Sequence, residues 1–367
     1  MSLDFISIED FIAAIATLAD AIGEGFVALT LGFASVPTGI GFLVGAGLIL
    51  LFRSVVPVSF EVESLTVVSR LTDRDWKKMA QVVLIAGIAG AVLGLLGAYT
   101  IIVDFIDGPI LSGMMTGVGL ILSFVAYETF KENKIIGGVS IVVALGTFFV
   151  LINDANNLIW ALFASVAAAI VVSRFVPFKP IIDASSTVPE KIRLIPLERF
   201  TFLKDIKVIR AALALLALRV GTSIAYSGID GQLSETTPNV DHTNIIAGIS
   251  GAASALFGGA PVEPIISGTA AAPNPVTSGF IMMVVMGVLL VLGLLPKLAK
   301  WVPTASIAGF LFLLGAVLAI PGNIGGVITE TDTFSGPVTV AVTAITFDPF
   351  LGMVCGILIR WFTGLVM

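Results

Sequence analysis

Apolar runs of bilayer-spanning length follow one another along almost the whole chain, and one long polar stretch, residues 176–207, interrupts them. Before it the runs lie at about 8–33, 38–52, 56–69, 79–100, 108–127, 135–152 and 156–175. After it they lie at about 208–227, 243–258, 262–272, 276–295, 303–320, 335–347 and 350–366. The polar stretch, "VPFKPIIDASSTVPEKIRLIPLERFTFLKDIK", carries prolines and dense charge and reads as an aqueous connector. The pattern predicts an all-α integral membrane protein of about fourteen transmembrane segments in three parts. Residues 1–175 are a first seven-segment repeat, 176–207 a connector, and 208–367 a second seven-segment repeat.

Composition agrees, with 57% hydrophobic and only 12% charged residues. A soluble domain needs about twice that charge to cover its surface, so a water-soluble enzyme is excluded. A net charge of −6 offers no basic face to nucleic acid. The single cysteine, Cys355, allows no disulfide framework and no multi-cysteine metal site. The acidic start "MSLDFISIED" lacks the basic region of a cleavable signal, so the first apolar segment is expected to remain in the mature protein. No GxxxxGK[ST] motif is present, which argues against an ATP-driven pump, and no cofactor is expected.

Two segments are too short to span comfortably, and they hold corresponding places in the two halves. Segment three opens "PVSFEVES" (57–64) and segment ten "PVEPIISG" (261–268). Paired interruptions of this kind point to a transporter's binding site. An early proline suits an extended strand leading into a half-helix, whose free N–H groups and positive dipole end would face a substrate at the midplane.

The run "NVDHTNIIAGISGAASALFGGAPVEPIISGTAAAPNPVTSG" (239–279), with "GPILSGMMTGVGLIL" (108–122) and "VPTASIAGFLFLLGAVL" (302–318), resembles the nucleobase/cation symporter-2 family, related to the sulfate and oxyanion transporters. The resemblance implies a 7+7 inverted repeat with short strand plus half-helix at segments 3 and 10. It implies a core domain of segments 1–4 and 8–11 moving, elevator-like, against a gate domain of segments 5–7 and 12–14. It also implies a homodimer through the gate domain. The family's two carboxylates that grip the base, on segments eight and ten, are replaced here by Leu218 and Ser267.

Acids stand instead on the first repeat. Asp20 and Glu24, four residues apart, share one helix face, where two like charges would share a proton, a cation or an arginine; Asp20 would escape this if it lay at headgroup level. Glu61 and Glu63 share a face in a strand and diverge on a helix. Glu63 with Ser64 falls where segment three would meet substrate, whereas Glu61 either lines the site or caps the half-helix. Arg219, beside Thr222 and Ser223, is too deep to snorkel. It is expected to be a counter-charge to Glu24 or Glu63, a ligand for an anionic substrate, or half of a structural ion pair. Glu263 is a substrate ligand or a strand-end residue, and Ser267 and Gly268 follow it at the site. Asp230, Glu235, Asp241 and His242 are expected in a solvated loop or at its edge. Trp160, Trp301, Trp361 and Tyr226 read as interface or packing aromatics.

Lysine and arginine gather after segments three, five, seven and eleven, which the positive-inside rule makes cytoplasmic, with both termini outside; the family resemblance implies termini inside. The chain is expected to be a secondary transporter in a prokaryotic cytoplasmic membrane, not an enzyme. It would exchange a proton or Na+ at Asp20, Glu24 and Glu63 and move a small-molecule substrate. A nucleobase is the substrate the resemblance favours; an inorganic or small organic anion, such as sulfate or molybdate, is the alternative, and a cation carrier or channel a third reading.

Overall fold

The computed structural model describes residues 7–106, 108–178, 205–298, 301–330 and 332–366; most of the connector expected at 176–207 lies outside them. Among the described residues six helical segments are long and apolar enough to cross a membrane, and shorter apolar helices accompany them. In order, the first half holds α1 (Ile8–Thr30), α2 (Ser35–Phe52), β1 (Val58–Ser59), α3 (Val62–Leu71), α4 (Trp76–Leu95), α5 (Ala98–Phe105), α6 (Gly108–Glu132), α7 (Lys134–Val150) and α8 (Asn157–Val172). The second half holds α9 (Ile206–Leu233), α10 (Val240–Ala255), β2 (Glu263–Pro264), α11 (Pro275–Val291), α12 (Leu295–Leu298), α13 (Ala308–Phe312), α14 (Ile320–Asn323), α15 (Ser335–Thr346) and α16 (Pro349–Val366). This is an integral membrane protein, mostly helical.

The two short interruptions find each other. β1 and β2 pair antiparallel, with Val58 opposite Pro264 and Ser59 opposite Glu263, and Ile265 N–H donates to the Pro57 carbonyl at 3.2 Å. Without water, each broken helix needs a partner for its freed backbone groups, and here each supplies the other's. After β1 the expected half-helix forms as α3. After β2 it does not: Gly268–Ala271 makes one 3-10 turn. The Ser267 hydroxyl caps it by accepting from Thr269 N–H, and Ala272, extended before Pro273, ends it. A second proline, Pro275, then starts α11. Only segment three therefore presents a helix amino end.

Asp10 joins the halves at one end of the molecule. It closes a capping box with Ser7 at the start of α1 and accepts from both the backbone and the side-chain amide of Asn274, which precedes α11. Between Phe312 and Ile320 the helix widens into π-turns, Leu313–Ala319. Pro321 is the cause: it has no N–H to donate, and its ring would clash with the carbonyl of the fourth residue back in a regular α-helix.

Two apolar clusters form. One gathers residues of α1 to α4, the first half of α9, α10 and α11; the other gathers α6, α8, the far half of α9 and the segment from Phe310 to Met353. On one face Lys78 pairs with Asp205 at 2.8 Å and Lys207 with Asp73 at 2.7 Å, tying the start of α4 and the turn after α3 to the start of α9. The hydrogen bond from Lys207 holds the Asp73 carboxyl below its ordinary range, and Lys78 does the same for Asp205. These exposed pairs contribute little, and what they contribute is present at neutral pH and lost as acid protonates them. On the opposite face Gln232 of α9 and Asn323 of α14 exchange amide hydrogen bonds of 2.7 and 3.1 Å.

Helices α4 and α10 approach through glycine. A Cβ on Gly248 would lie 2.5 Å from the Gly87 carbonyl oxygen, and one on Gly87 would lie 2.7 Å from the Gly248 oxygen. Such small-residue contacts let membrane helices pack at close range. Gly248→Val should therefore lower stability in detergent by about 1–3 kcal/mol. Gly47→Ala, with nothing within 4 Å of its Cβ, should not lower the thermal midpoint, since alanine is the better helix former.

Candidate functional site

Between the two apolar clusters lies a cavity of about 970 Å³. Its floor and one wall come from α1, the β1–α3 junction, Tyr226 of α9 and Ile265–Ile266 after β2. The other wall is α6 and the segment from Pro303 to Leu314. Its mouth is rimmed by Glu132, Asn133, Pro177, Phe178 and Thr304. The rim is held together by the Thr304 hydroxyl donating to Glu132, and beside it Arg174 stacks on Trp301 with its guanidinium 4.3 Å from the ring centre. The mouth thus lies at the turn between α6 and α7 and at the carboxyl end of α8, whose described residues include Lys131, Lys134 and Arg174.

Six carboxylates line this cavity: Asp20, Glu24, Glu61, Glu63, Glu128 and Glu132. Among the described residues no lysine, arginine or histidine lines it. The helices dictate the spacing. Asp20 and Glu24 stand one turn apart on α1, and Glu128 and Glu132 one turn apart on α6, so each pair steps about 6 Å along its helix. Glu61 is the N-cap residue of α3 and Glu63 lies in its first turn. No Glu61 cap bond forms. Its Oε2 instead accepts from the Ser64 hydroxyl, and the Tyr226 hydroxyl is in hydrogen-bonding reach of the same carboxylate. Tyr226 sits among Glu24, Glu61 and Glu63. Among the described residues no three Asp, Glu, His or Cys side chains converge closely enough to hold a metal ion.

Of the residues singled out in the sequence, Asp20, Glu24, Glu61 and Glu63 therefore reach one cavity, with Ser64 just behind Glu61. The others lie elsewhere. Arg219 is fully buried and does not pair with Glu24 or Glu63. Its Nε and Nη2 donate to the two oxygens of Glu263 at 2.6 and 2.5 Å, and Nη1 donates to the Ala86 carbonyl at 3.0 Å. The planar fork of arginine matches a carboxylate two bonds at a time, and a strand register that places Glu263 beside α9 decides the partner. Thr222 bonds the Arg219 carbonyl within its own helix. Ser267 donates its N–H to Asp230, and its hydroxyl meets those of Thr17 and Thr269. Gly268 packs against Leu162, where a Cβ would clash.

Asp230 and Asp241 correct the expectation of a solvated loop. Asp230 is buried and holds Ser267, and Asp241 accepts from the N–H groups of Tyr99 and Thr100, capping the start of α5. His242 packs on Phe52, with ring centres 4.7 Å apart. Tyr226, Glu128 and Glu132 were not anticipated at the site. The four-residue spacing of the two α6 acids, the same as in Asp20 and Glu24, is the signal that could have found them.

No family model matches the chain, and no curated protein matches it. Solved structures do. The transmembrane domain of a cyanobacterium bicarbonate transporter, BicA, aligns with a TM-score of 0.56 and 18% identity over 95% of this chain and 97% of that one. The anion transporter Slc26a9 from mouse, in its inward-facing state, aligns at a TM-score of 0.48 and 15% identity, over 99% of this chain and 70% of that one. The first likeness is one of fold, and the second is too weak to argue from. The fold shared is that of a bicarbonate transporter, and the nucleobase/cation symporter-2 resemblance gains no support from these comparisons.

The Arg219–Glu263 pair makes a stability prediction. Arg219→Met alone strands a buried carboxylate and should cost about 3–5 kcal/mol. Arg219→Met combined with Glu263→Leu should recover most of that loss in a detergent melting experiment. A double variant as unstable as the single one would show that the pair is not what Arg219 provides.

Proposed function

We propose that the chain is a secondary transporter working by alternating access, whose cargo enters the carboxylate-lined cavity as a cation or together with cations. One observation carries this reading: among the described residues six acids line the cavity and no base does, while the one fully buried base, Arg219, is neutralised by Glu263. Carboxylates in a low-dielectric site are costly until a proton or a cation joins them. Entering cations thus stabilise the loaded site, and that differential binding couples their gradient to transport.

The small-anion reading takes its support from the fold likeness to the bicarbonate transporter and replaces the nucleobase reading. Here an anion would have to follow its co-ions. The amino end of α3, the one half-helix start at the site, would face it once Glu61 and Glu63 were neutralised. The second reading, in which the cation is itself the cargo, is favoured by a described lining that holds six carboxylates and no lysine, arginine or histidine. Moving parts follow from the two apolar clusters: a core of α1 to α4 and α9 to α11 displaced against a gate of the remaining spanning helices. By the positive-inside rule the cavity as seen here opens to the cytoplasm.

Uptake into proteoliposomes tests the proposal with bicarbonate, sulfate, molybdate, nucleobases and simple cations offered side by side. Accumulation should require an inward proton or cation gradient, and Glu24→Gln and Glu63→Gln should each reduce it at least about tenfold, a loss of about 1.4 kcal/mol of binding. An anion accumulated at the same rate with every cation gradient collapsed and its own gradient held would sink the reading.

A further inference from the structure

We infer that the face where α3, α4 and α9 meet binds the headgroup of an anionic phospholipid, held between the starts of α4 and α9. The contact lies outside the cavity and is independent of what the cavity carries.

Two stretches come together on that face: residues 70–78, from the end of α3 into α4, and residues 205–210, at the start of α9. The pairs Lys78–Asp205 and Lys207–Asp73 join them. They hold six bases, Arg70, Arg74, Lys77, Lys78, Lys207 and Arg210, in a chain whose net charge is −6. Their three acids are all engaged. Asp73 and Asp205 are taken by the two ion pairs, and Asp75 caps α4 by accepting from the Lys77 N–H. Arg70, Arg74, Lys77 and Arg210 remain. All four are exposed, and none has a side-chain hydrogen bond or ion pair with another described residue.

Helix geometry turns two of these toward lipid. Ile206, Arg210 and Leu213 share one side of α9, and the two apolar residues are 73% and 61% exposed. Lys77, Ile88 and Leu95 share one side of α4, and Ile88 and Leu95 are exposed as well. Bare apolar side chains on spanning helices face acyl chains. The depth fits a headgroup. Helix α9 has 28 residues, about 42 Å of helix against a hydrocarbon core of about 30 Å. Its first turn therefore reaches the headgroup layer, and Arg210 stands at the boundary. Trp76 marks the same level on α4, with Lys77 Nζ 5.8 Å from its ring centre.

The positive-inside rule accounts for the sign of this face and places it in the cytoplasmic leaflet. It does not account for an arginine on the lipid side of a spanning helix with no acid beside it. At that depth a charge needs a counter-charge, and the molecule lying there is a lipid. The guanidinium of Arg210 can meet two phosphate oxygens at once, and the ammonium of Lys77 adds a point charge. A zwitterionic lipid would bring its own ammonium against Arg70 and Arg74, so a headgroup of net negative charge fits and a neutral one does not. The acyl chains would continue along Leu213 and Ile88.

Titration of the full-length protein in detergent with dioctanoyl phosphatidylglycerol, dioctanoyl phosphatidylcholine and inorganic phosphate, read by microscale thermophoresis, tests this. The anionic lipid should bind at least about tenfold more tightly than the zwitterionic lipid of equal chain length, and inorganic phosphate should not displace it. Lys77→Gln and Arg210→Gln, each checked for an unaltered melting midpoint, should weaken the anionic lipid by about fivefold apiece. Arg53→Gln should leave it unchanged: Arg53 is exposed too, but it lines a groove with Thr236 to Asn239 beyond the far end of α9. Equal affinity for the two lipids, or full affinity for the anionic one in a folded Lys77→Gln/Arg210→Gln variant, overturns the inference. An equal loss in Arg53→Gln overturns it by showing bulk charge alone, and displacement by inorganic phosphate overturns it in favour of a soluble anion.

Discussion

Two interrupted segments, about two hundred residues apart, must share one set of backbone hydrogen bonds, and most of the architecture follows from that need. A broken helix inside a bilayer leaves N–H and C=O groups that lipid cannot satisfy. Pairing β1 with β2 resolves this, and it draws the two halves together at the middle of the molecule. The Arg219–Glu263 pair then secures β2 against α9 and, through Ala86, against α4. Glu61 can sit at the cavity floor because the strand that precedes it is held so firmly. The ion pair is best understood as scaffold: it fixes where the site is without facing the site itself.

The membrane setting and the long apolar helices were legible because hydropathy records burial in lipid directly; of the fourteen expected segments, six are long and apolar enough among the described residues to cross a membrane. The two interruptions were legible because proline and charge have no place in an ordinary spanning helix. Contacts that depend on how distant segments register were not legible. Arg219 showed itself as a base in need of an acid, yet the choice of Glu263 over Glu24 or Glu63 depends on which side of β2 faces α9. Asp230 and Asp241 looked like loop residues because they flank one; both are buried because each caps or anchors a neighbouring segment. The single 3-10 turn after β2 was readable in principle, since Pro273 and Pro275 stand within a few residues of Ser267. Analogy with segment three concealed it. Glu128 and Glu132 escaped notice because they lie at the polar end of an otherwise apolar helix, where an acid is ordinarily solvated.

The distribution of charge is unusual in a second respect. Lys131, Lys134 and Arg174 stand in or beside the segments that reach the mouth of the cavity, while among the described residues the lining itself holds acids and no base. The rim therefore does not extend the potential of the interior. A cation approaching from that side meets a mixed surface first and the concentrated negative field only after entering, which favours selection inside the cavity over steering at long range.

Across the molecule from that mouth, Gln232 and Asn323 join α9 to α14 by exchanging neutral amide hydrogen bonds. Parting these helices on that face would replace two amide–amide contacts by amide–water contacts of similar strength, and would expose no ion to a new medium. The energy of that separation would therefore be nearly independent of salt concentration. Had the clasp been an ion pair, the resting balance between closed and open forms would shift with the ionic strength of the surroundings; with two amides it is insulated from such changes.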